Sequence, residues 1–371
     1  MKKLSIKNFN LKNYIVYIVI AALILIFGLL KILQVNDRKY AVLLVSVCIN
    51  IILAVSLSLV VGYLGELSLG HAGFMAVGAY AGCLVSIHLQ GTMPEFIVFF
   101  LALLIGGMAA ALFGFIIGIP VLRLKGDYLA IVTLAFGEII RSLVQNFEFT
   151  GGAMGLDNIP KSTDYITALV IIMILIIVIQ NLIKSRHGRA IMAIRDNDIA
   201  ARSVGINVTY YKLTVFIISA FFAGIAGVLY GHYYCILTPS DFSYNKSIDI
   251  LVFVVMGGMG NITGAMISAT VLTLLPEWLR FLSGDWRMLI YAIALIALMI
   301  FNNSPVFKTF REKYNIKSFI PWLKKKFSKK TAAVLTENAP APEIQAESSA
   351  VTETDAGNGT SEKNTDGKED N

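Results

Sequence analysis

The chain has 371 residues, 56% of them hydrophobic and 15% charged, with a net charge of +7 and a mean hydropathy of +0.71. Soluble domains carry about a quarter charged residues, and a water-soluble core cannot absorb this much apolar sequence without large exposed patches. The solvent for most of the chain is therefore lipid, and its three scattered cysteines, Cys48, Cys83 and Cys235, give neither a disulfide framework nor a metal spacing.

A helix crossing about 30 Å of hydrocarbon needs roughly 20 apolar residues. On that rule the sequence predicts an all-α, polytopic transmembrane bundle of ten spans. They fall near 13–33, 41–64, 70–89, 96–122, 128–146, 166–183, 213–234, 248–260, 262–281 and 288–302. The eighth is short and ends in "GGMGN", which suits a half-helix or re-entrant segment. The first follows Lys2, Lys3, Lys7 and Lys12, yet its apolar run is too long for a signal peptide and "LLKILQVND" offers no cleavage site. It reads as a retained helix. The chain thus divides into a basic N-terminus (1–12), a transmembrane domain (13–305), a basic juxtamembrane segment (306–330) and an acidic tail (331–371).

Basic residues in short loops mark the cytoplasmic side. They cluster at the N-terminus, at Arg123 and Lys125, between Lys184 and Lys212, and between Lys308 and Lys330. An inside start and ten crossings place all four clusters, and both termini, in the cytoplasm. The loops at 90–95, 147–165 and 235–247 then lie outside. The tail from 331 has a net charge of −7 and no aromatic residue, so it cannot bury enough surface to order itself. The remaining residues carry +14, and their placement at the membrane gives that excess a use other than nucleic acid. "FIPWLKKKFSKK" joins apolar side chains to five lysines and suits the anionic inner leaflet. Small-xxx-small pairs at Gly78/Gly82, Gly114/Gly118, Gly227/Gly231 and Gly260/Gly264 predict closely packed helices.

"SRHGRAIMAIRDNDIAARSVGINV" (Ser185–Val208) interrupts two apolar flanks. At about 100° per residue it forms one amphipathic helix. Arg195, Asp198 and Arg202 share a charged stripe with Ile191. Ala190, Ala193, Ile194, Ala200, Ala201 and Val204 form a small, smooth face opposite. Asp198 stands four residues before Arg202, as a helical ion pair requires, and Gly205 is a natural C-cap. Interfacial helices use bulky apolar residues; this face of alanines fits a protein partner better.

"AIRDNDIAARSVGINV" resembles the EAA loop of bacterial ABC-importer permeases, with Ala200, Ala201 and Gly205 at the expected spacing and Ile199 in place of the glutamate. The variant is similar to that of the branched-chain amino acid permeases. "GELSLGHAGFMAVGAYAG" (Gly65–Gly82), "GDYLAIVTLAFGEIIRSL" (Gly126–Leu143) and "TGGAMGL" (Thr150–Leu156) resemble other stretches of that family. The likeness covers about residues 40–305, and ten spans suit the larger, LivM-type subunit. It implies an importer permease in a bacterial plasma membrane. Its partners would be a second permease, two ATP-binding subunits and an extracytoplasmic amino-acid-binding protein. The 185–208 helix, with Ala193, Arg195, Asp198, Ala200, Ala201, Arg202 and Gly205, would dock into an ATPase cleft. The cargo would be a small aliphatic amino acid, with urea or a short amide as the alternative.

Glu66, Ser68, His71, Glu138 and Arg141 lie in or beside spans, where ionisable groups are costly and face a path or a partner. Glu138 and Arg141 can pair on one helix face. "GYLGELSLGHAG" holds five glycine or serine positions, which suggests an unwound segment offering backbone groups to a substrate. No stretch fits G-x-x-x-x-G-K-[ST], so ATP is expected on the partner subunits. No catalytic cluster, cofactor motif or metal spacing is visible. A stand-alone ion-coupled carrier would explain the spans but would leave the alanine-faced helix without a purpose.

Overall fold

The computed structural model describes residues 38–279, apart from Lys125, and scattered positions between 286 and 296. The expected spans 13–33 and 288–302, the 306–330 segment and the acidic tail lie outside the described residues.

Every regular element among the described residues is helical. In chain order they are α1 (Arg38–Ser58), running straight into a π-helical turn (Leu59–Leu64), then α2 (His71–Leu89), α3 (Glu95–Val121) and α4 (Asp127–Asn146). There follow α5 (Tyr165–Lys184), α6 (Arg186–Asp196), α7 (Asp198–Ser203), α8 (Val208–Tyr234), α9 (Tyr244–Gly257) and α10 (Ile262–Trp278). Five helical stretches among the described residues are long and apolar enough to cross a membrane: Val42–Leu64, α2, α3, α5 and α8. The chain is a multi-pass membrane protein.

Burial sorts these spans. The most apolar window of Val42–Leu64 is 83% buried within the chain, whereas that of α5 is 28% buried. A helix apolar on every side belongs in a core or in lipid; the first is the central post, and α5 lies at the lipid edge. Close packing around the post depends on small residues. Gly78 of α2 faces the Gly224 backbone of α8, Gly106 of α3 faces the Gly78 carbonyl, and Gly114 meets Ala220. The other expected glycines also sit at helix contacts: Gly227 at Met75, Gly231 at Cys83, Gly118 at Leu213 and Gly264 at Gly257. Lipid gives no hydrophobic drive for helices to associate, so backbone approach supplies the packing. Phe74 wedges between α4 and α8, with ring centroids 5.5 Å from Phe136 and 5.3 Å from Phe216.

Three expectations shift. The 128–146 span forms as helix α4, 20 residues long, but is not among the five apolar spans. The helices α9 and α10 have 14 and 17 residues, about 21 and 26 Å at 1.5 Å per residue. Both are shorter than the roughly 20 residues of an average span, and α10 is at the lower end of the crossing range of about 17–25. And α8 begins at Val208, five residues before the expected 213, because Asn207 caps it by accepting from the Tyr210 amide at 3.1 Å. That moves Lys212 from a loop into a buried helical turn.

The connections gather at opposite ends. At one end the 90–95, 147–164 and 235–243 stretches meet. Ser162 donates to Glu95 at 2.8 Å, Leu156 pairs with Leu237 in an antiparallel bridge, and the Lys161 amine lies 5.5 Å over the Tyr233 ring. At the other end lie the π-turn, α6–α7 and the α9–α10 junction.

Candidate functional site

The site is built on a break in the central post. The π-turn ends at Gly65, whose φ of +81° is left-handed and suits glycine. Residues 65–70 then run without regular structure to α2. Backbone groups freed at a helix end need new partners. Here the Glu66 amide reaches the Val60 carbonyl at 3.2 Å, and the Leu69 amide reaches Thr133 Oγ1 of α4 at 2.9 Å.

Three of the sequence-predicted residues come together at this break. The Glu66 carboxylate, 13% exposed, pairs with the buried Lys212 of α8, 6% exposed. Ser68 Oγ is buried and, among the described residues, has no hydrogen-bond partner. His71 opens α2 and its Nε2 shares a 2.8 Å hydrogen bond with Ser56 Oγ of α1. The Ser56 carbonyl in turn accepts from Ser219 of α8 at 2.7 Å. Glu138 and Arg141 form a separate unit. Arg141 Nε donates to Glu138 Oε2 at 2.8 Å, while Glu138 Oε1 accepts from the Tyr244 amide at 2.9 Å. The carboxylate thus also satisfies an orphan donor at the start of α9, and the pair ties α4 to α9.

The polar segment after α5 departs from the expected single helix. It is two helices, α6 and α7, separated at Asn197, whose φ of −159° and ψ of +108° are extended. Its Oδ1 accepts from the Ile199 and Ala200 amides at 3.0 and 3.1 Å, so Asn197 caps α7 instead of continuing α6. A continuous wheel therefore fails. Ile191 and Ile194 are both buried, and so is Ala201, at 3% exposure. Ala193 is half-buried, and Ala200, Arg202, Ile199 and Val204 are exposed. Asp198 and Arg202 do pair, at 3.5 Å. Gly205, at φ +84°, ends α7, with the Ile206 amide on the Ala201 carbonyl and the Gly205 amide on Arg202. These bonds match a Schellman-type cap.

Arg195 does not lie on an outward stripe with Arg202. Its Nη1 reaches the Gly62 carbonyl in the π-turn at 3.3 Å, and its Nε and Nη2 hold Asp196 at 3.2 and 3.1 Å. Gly62 also abuts the backbone of Gly260, in the α9–α10 junction. Sequence reading missed two further partners. Lys212 falls in a loop on the sequence pattern, because the apolar run begins at Leu213, but it is the fifth residue of α8. Lys246 Nζ donates to Asn50 Oδ1 at 2.9 Å, and Asn50 Nδ2 to Thr273 at 3.0 Å, joining α9, α1 and α10. The available signal was a lone asparagine within the 41–64 run. Among the described residues, no His, Cys, Asp or Glu group could hold a metal ion.

An all-helical, multi-pass bundle with a capped polar helix pair suits a membrane transport subunit. Residues 40–299 match the family described as the permease component of branched-chain amino acid transport systems, and the chain belongs to that family. It is 36% identical over 305 residues to the high-affinity branched-chain amino acid transport system permease protein LivM of Salmonella typhimurium, covering 73% of this chain and 70% of that protein. The same figures hold for LivM of Escherichia coli. It is 28% identical to the ribose import permease protein RbsC of Haemophilus influenzae, over 69% of this chain and 82% of that one. No solved structure matches the chain.

Proposed function

We propose that this chain is a LivM-type permease subunit of an ATP-binding-cassette importer, forming part of the path for branched-chain amino acids. It works beside a second permease, two ATP-binding subunits and an extracytoplasmic amino-acid-binding protein in a bacterial plasma membrane. ATP is bound by the partner subunits; this chain performs no catalysis and needs no cofactor. Both termini and the α6–α7 segment face the cytoplasm, and the bundle crosses the membrane ten times.

The observation that carries this reading, within the family, is the outward edge of α7. Ile199 and Val204 are 73% and 76% exposed on a helix pair whose other exposed side chains are polar apart from Ala200. Exposed β-branched side chains held by two caps, with no Leu, Phe or Trp beside them to enter lipid, suit a protein groove. Capture of the ATP-binding subunits by the purified permease tests it. Ile199→Asp with Val204→Asp should insert normally, since neither side chain packs inward, and should lose the ATP-binding subunits. Normal capture by this double variant would show that another surface holds them.

A further inference from the structure

We infer that Arg195 is the positioning residue that ties the α6–α7 segment to both helix breaks, so that a displacement of that segment is passed to Gly62–Gly65 and Gly260 together. This rests on the reading of α6–α7 as the ATPase-facing segment and adds the route by which its motion enters the bundle.

The geometry has three parts. A helix end leaves carbonyls without intrahelical partners. The π-turn ends here, and Arg195 Nη1 supplies a donor to one of its carbonyls, that of Gly62, at 3.3 Å. A cation there is also favoured by the helix dipole. Next, the stem of Arg195 lies across Gly65. A methyl group on Gly65 would sit 2.7 Å from Arg195 Cγ, so the stem occupies the space that the glycine leaves. Last, Gly260 closes the far side. A methyl there would lie 3.3 Å from the Gly62 carbonyl oxygen and 3.6 Å from Arg195 Nη1. Gly65 and Gly260 both have a φ of +81°, so each marks a chain reversal that only glycine adopts easily.

Asp196 fixes the direction of the guanidinium. It takes Nε and Nη2, which leaves Nη1 for Gly62. Such a division requires a planar fork; the single ammonium of a lysine cannot reproduce it. Glu66–Lys212 is a different link, since it joins the break to the spanning helix α8 and not to α6. Arg195 thus bonds α6 to the π-turn directly and reaches the α9–α10 junction through the backbone contact between Gly62 and Gly260.

The test uses the complete importer, with all subunits and the binding protein, in lipid nanodiscs. Arg195→Ala and Arg195→Lys are compared with wild type for capture of the ATP-binding subunits, for stimulation of ATP hydrolysis by leucine-loaded binding protein, and for uptake in proteoliposomes. Capture should be unchanged. Stimulation and uptake should fall together by roughly two- to thirtyfold, the span of coupling energies typical of such sites. Added ethylguanidinium should restore part of the stimulation to Arg195→Ala, which a general loss of folding does not allow. Unaltered stimulation in Arg195→Ala overturns the inference. Loss of capture also overturns it, because Arg195 is then a contact residue, while the docking reading stands. Failure of both variants to accumulate, with no guanidinium rescue, makes the contact structural and overturns it too. Failure of the docking reading itself shows separately, as normal capture by the Ile199→Asp, Val204→Asp variant.

Discussion

Glu66 and Lys212 illustrate what a buried charge requires. Each is nearly enclosed, and each neutralises the other across the gap between the broken post and α8. Removing one partner of a buried pair leaves an uncompensated charge and typically costs about 3–5 kcal/mol, whereas replacing both can be nearly neutral. Lys212→Met alone should therefore lower the thermal stability of the detergent-solubilised protein more than Glu66→Gln combined with Lys212→Met. A double variant as unstable as the sum of the two single ones would show that the side chains act independently. This pair also marks a limit of sequence reading. Glu66 is conspicuous beside a span, but nothing local names its partner 146 positions later. Asn50 and Lys246, 196 positions apart, were hidden in the same way. Such pairings follow from helix packing, which a periodic apolar pattern does not specify.

At the scale of elements, backbone contacts decide where substitutions are tolerated. A methyl group on Gly78 would strike the backbone of Gly224, which cannot move without separating α2 from α8. One on Gly137 would meet Gly70 Cα and the Gly73 amide at 3.8 Å, an ordinary contact. Gly78→Ala should thus destabilise by about 1–3 kcal/mol through overpacking. Gly137→Ala should be neutral or stabilising, since alanine gains up to about 1 kcal/mol over glycine in a helix. Thermal aggregation midpoints of the two variants check this, and equal midpoints contradict the packing account. The α6–α7 junction shows the opposite dependence, on a single polar side chain. Asn197 makes two cap bonds, and its loss should cost α7 about 0.5–2 kcal/mol. Hydrogen exchange at Ala200–Ser203 should quicken in Asn197→Ala; unchanged protection would mean that α7 is held by its surroundings alone. The sequence pattern showed an amphipathic helix over this stretch but not its division. Asparagine is a weak helix former yet a strong N-cap, and periodicity counts only the first property. That is why Ala201 and Ile191 were assigned to the wrong sides. Gly205 was legible as a cap because its requirement for positive φ is local.

For the whole molecule, the five apolar spans were legible because each needs only length and composition. The 90–95, 147–164 and 235–243 connections meet at one end of the bundle, and the family match covers the region in which the motifs were read. On our reading, cysteines placed at Val204 and at Ser162 should label from opposite sides with an impermeant reagent: position 162 in intact cells, position 204 only after permeabilisation. Labelling of both from one side would contradict the ten-span arrangement. The central claim is that ATP hydrolysed by partner subunits drives an aliphatic amino acid through this chain. Its most direct test is leucine uptake into proteoliposomes holding the permease pair, the ATP-binding subunits and external binding protein. Uptake should require ATP inside the vesicles, exceed uptake of urea, and vanish in the Ile199→Asp, Val204→Asp variant. Leucine accumulation by this chain alone, driven by a proton or sodium gradient without ATP, would contradict the account.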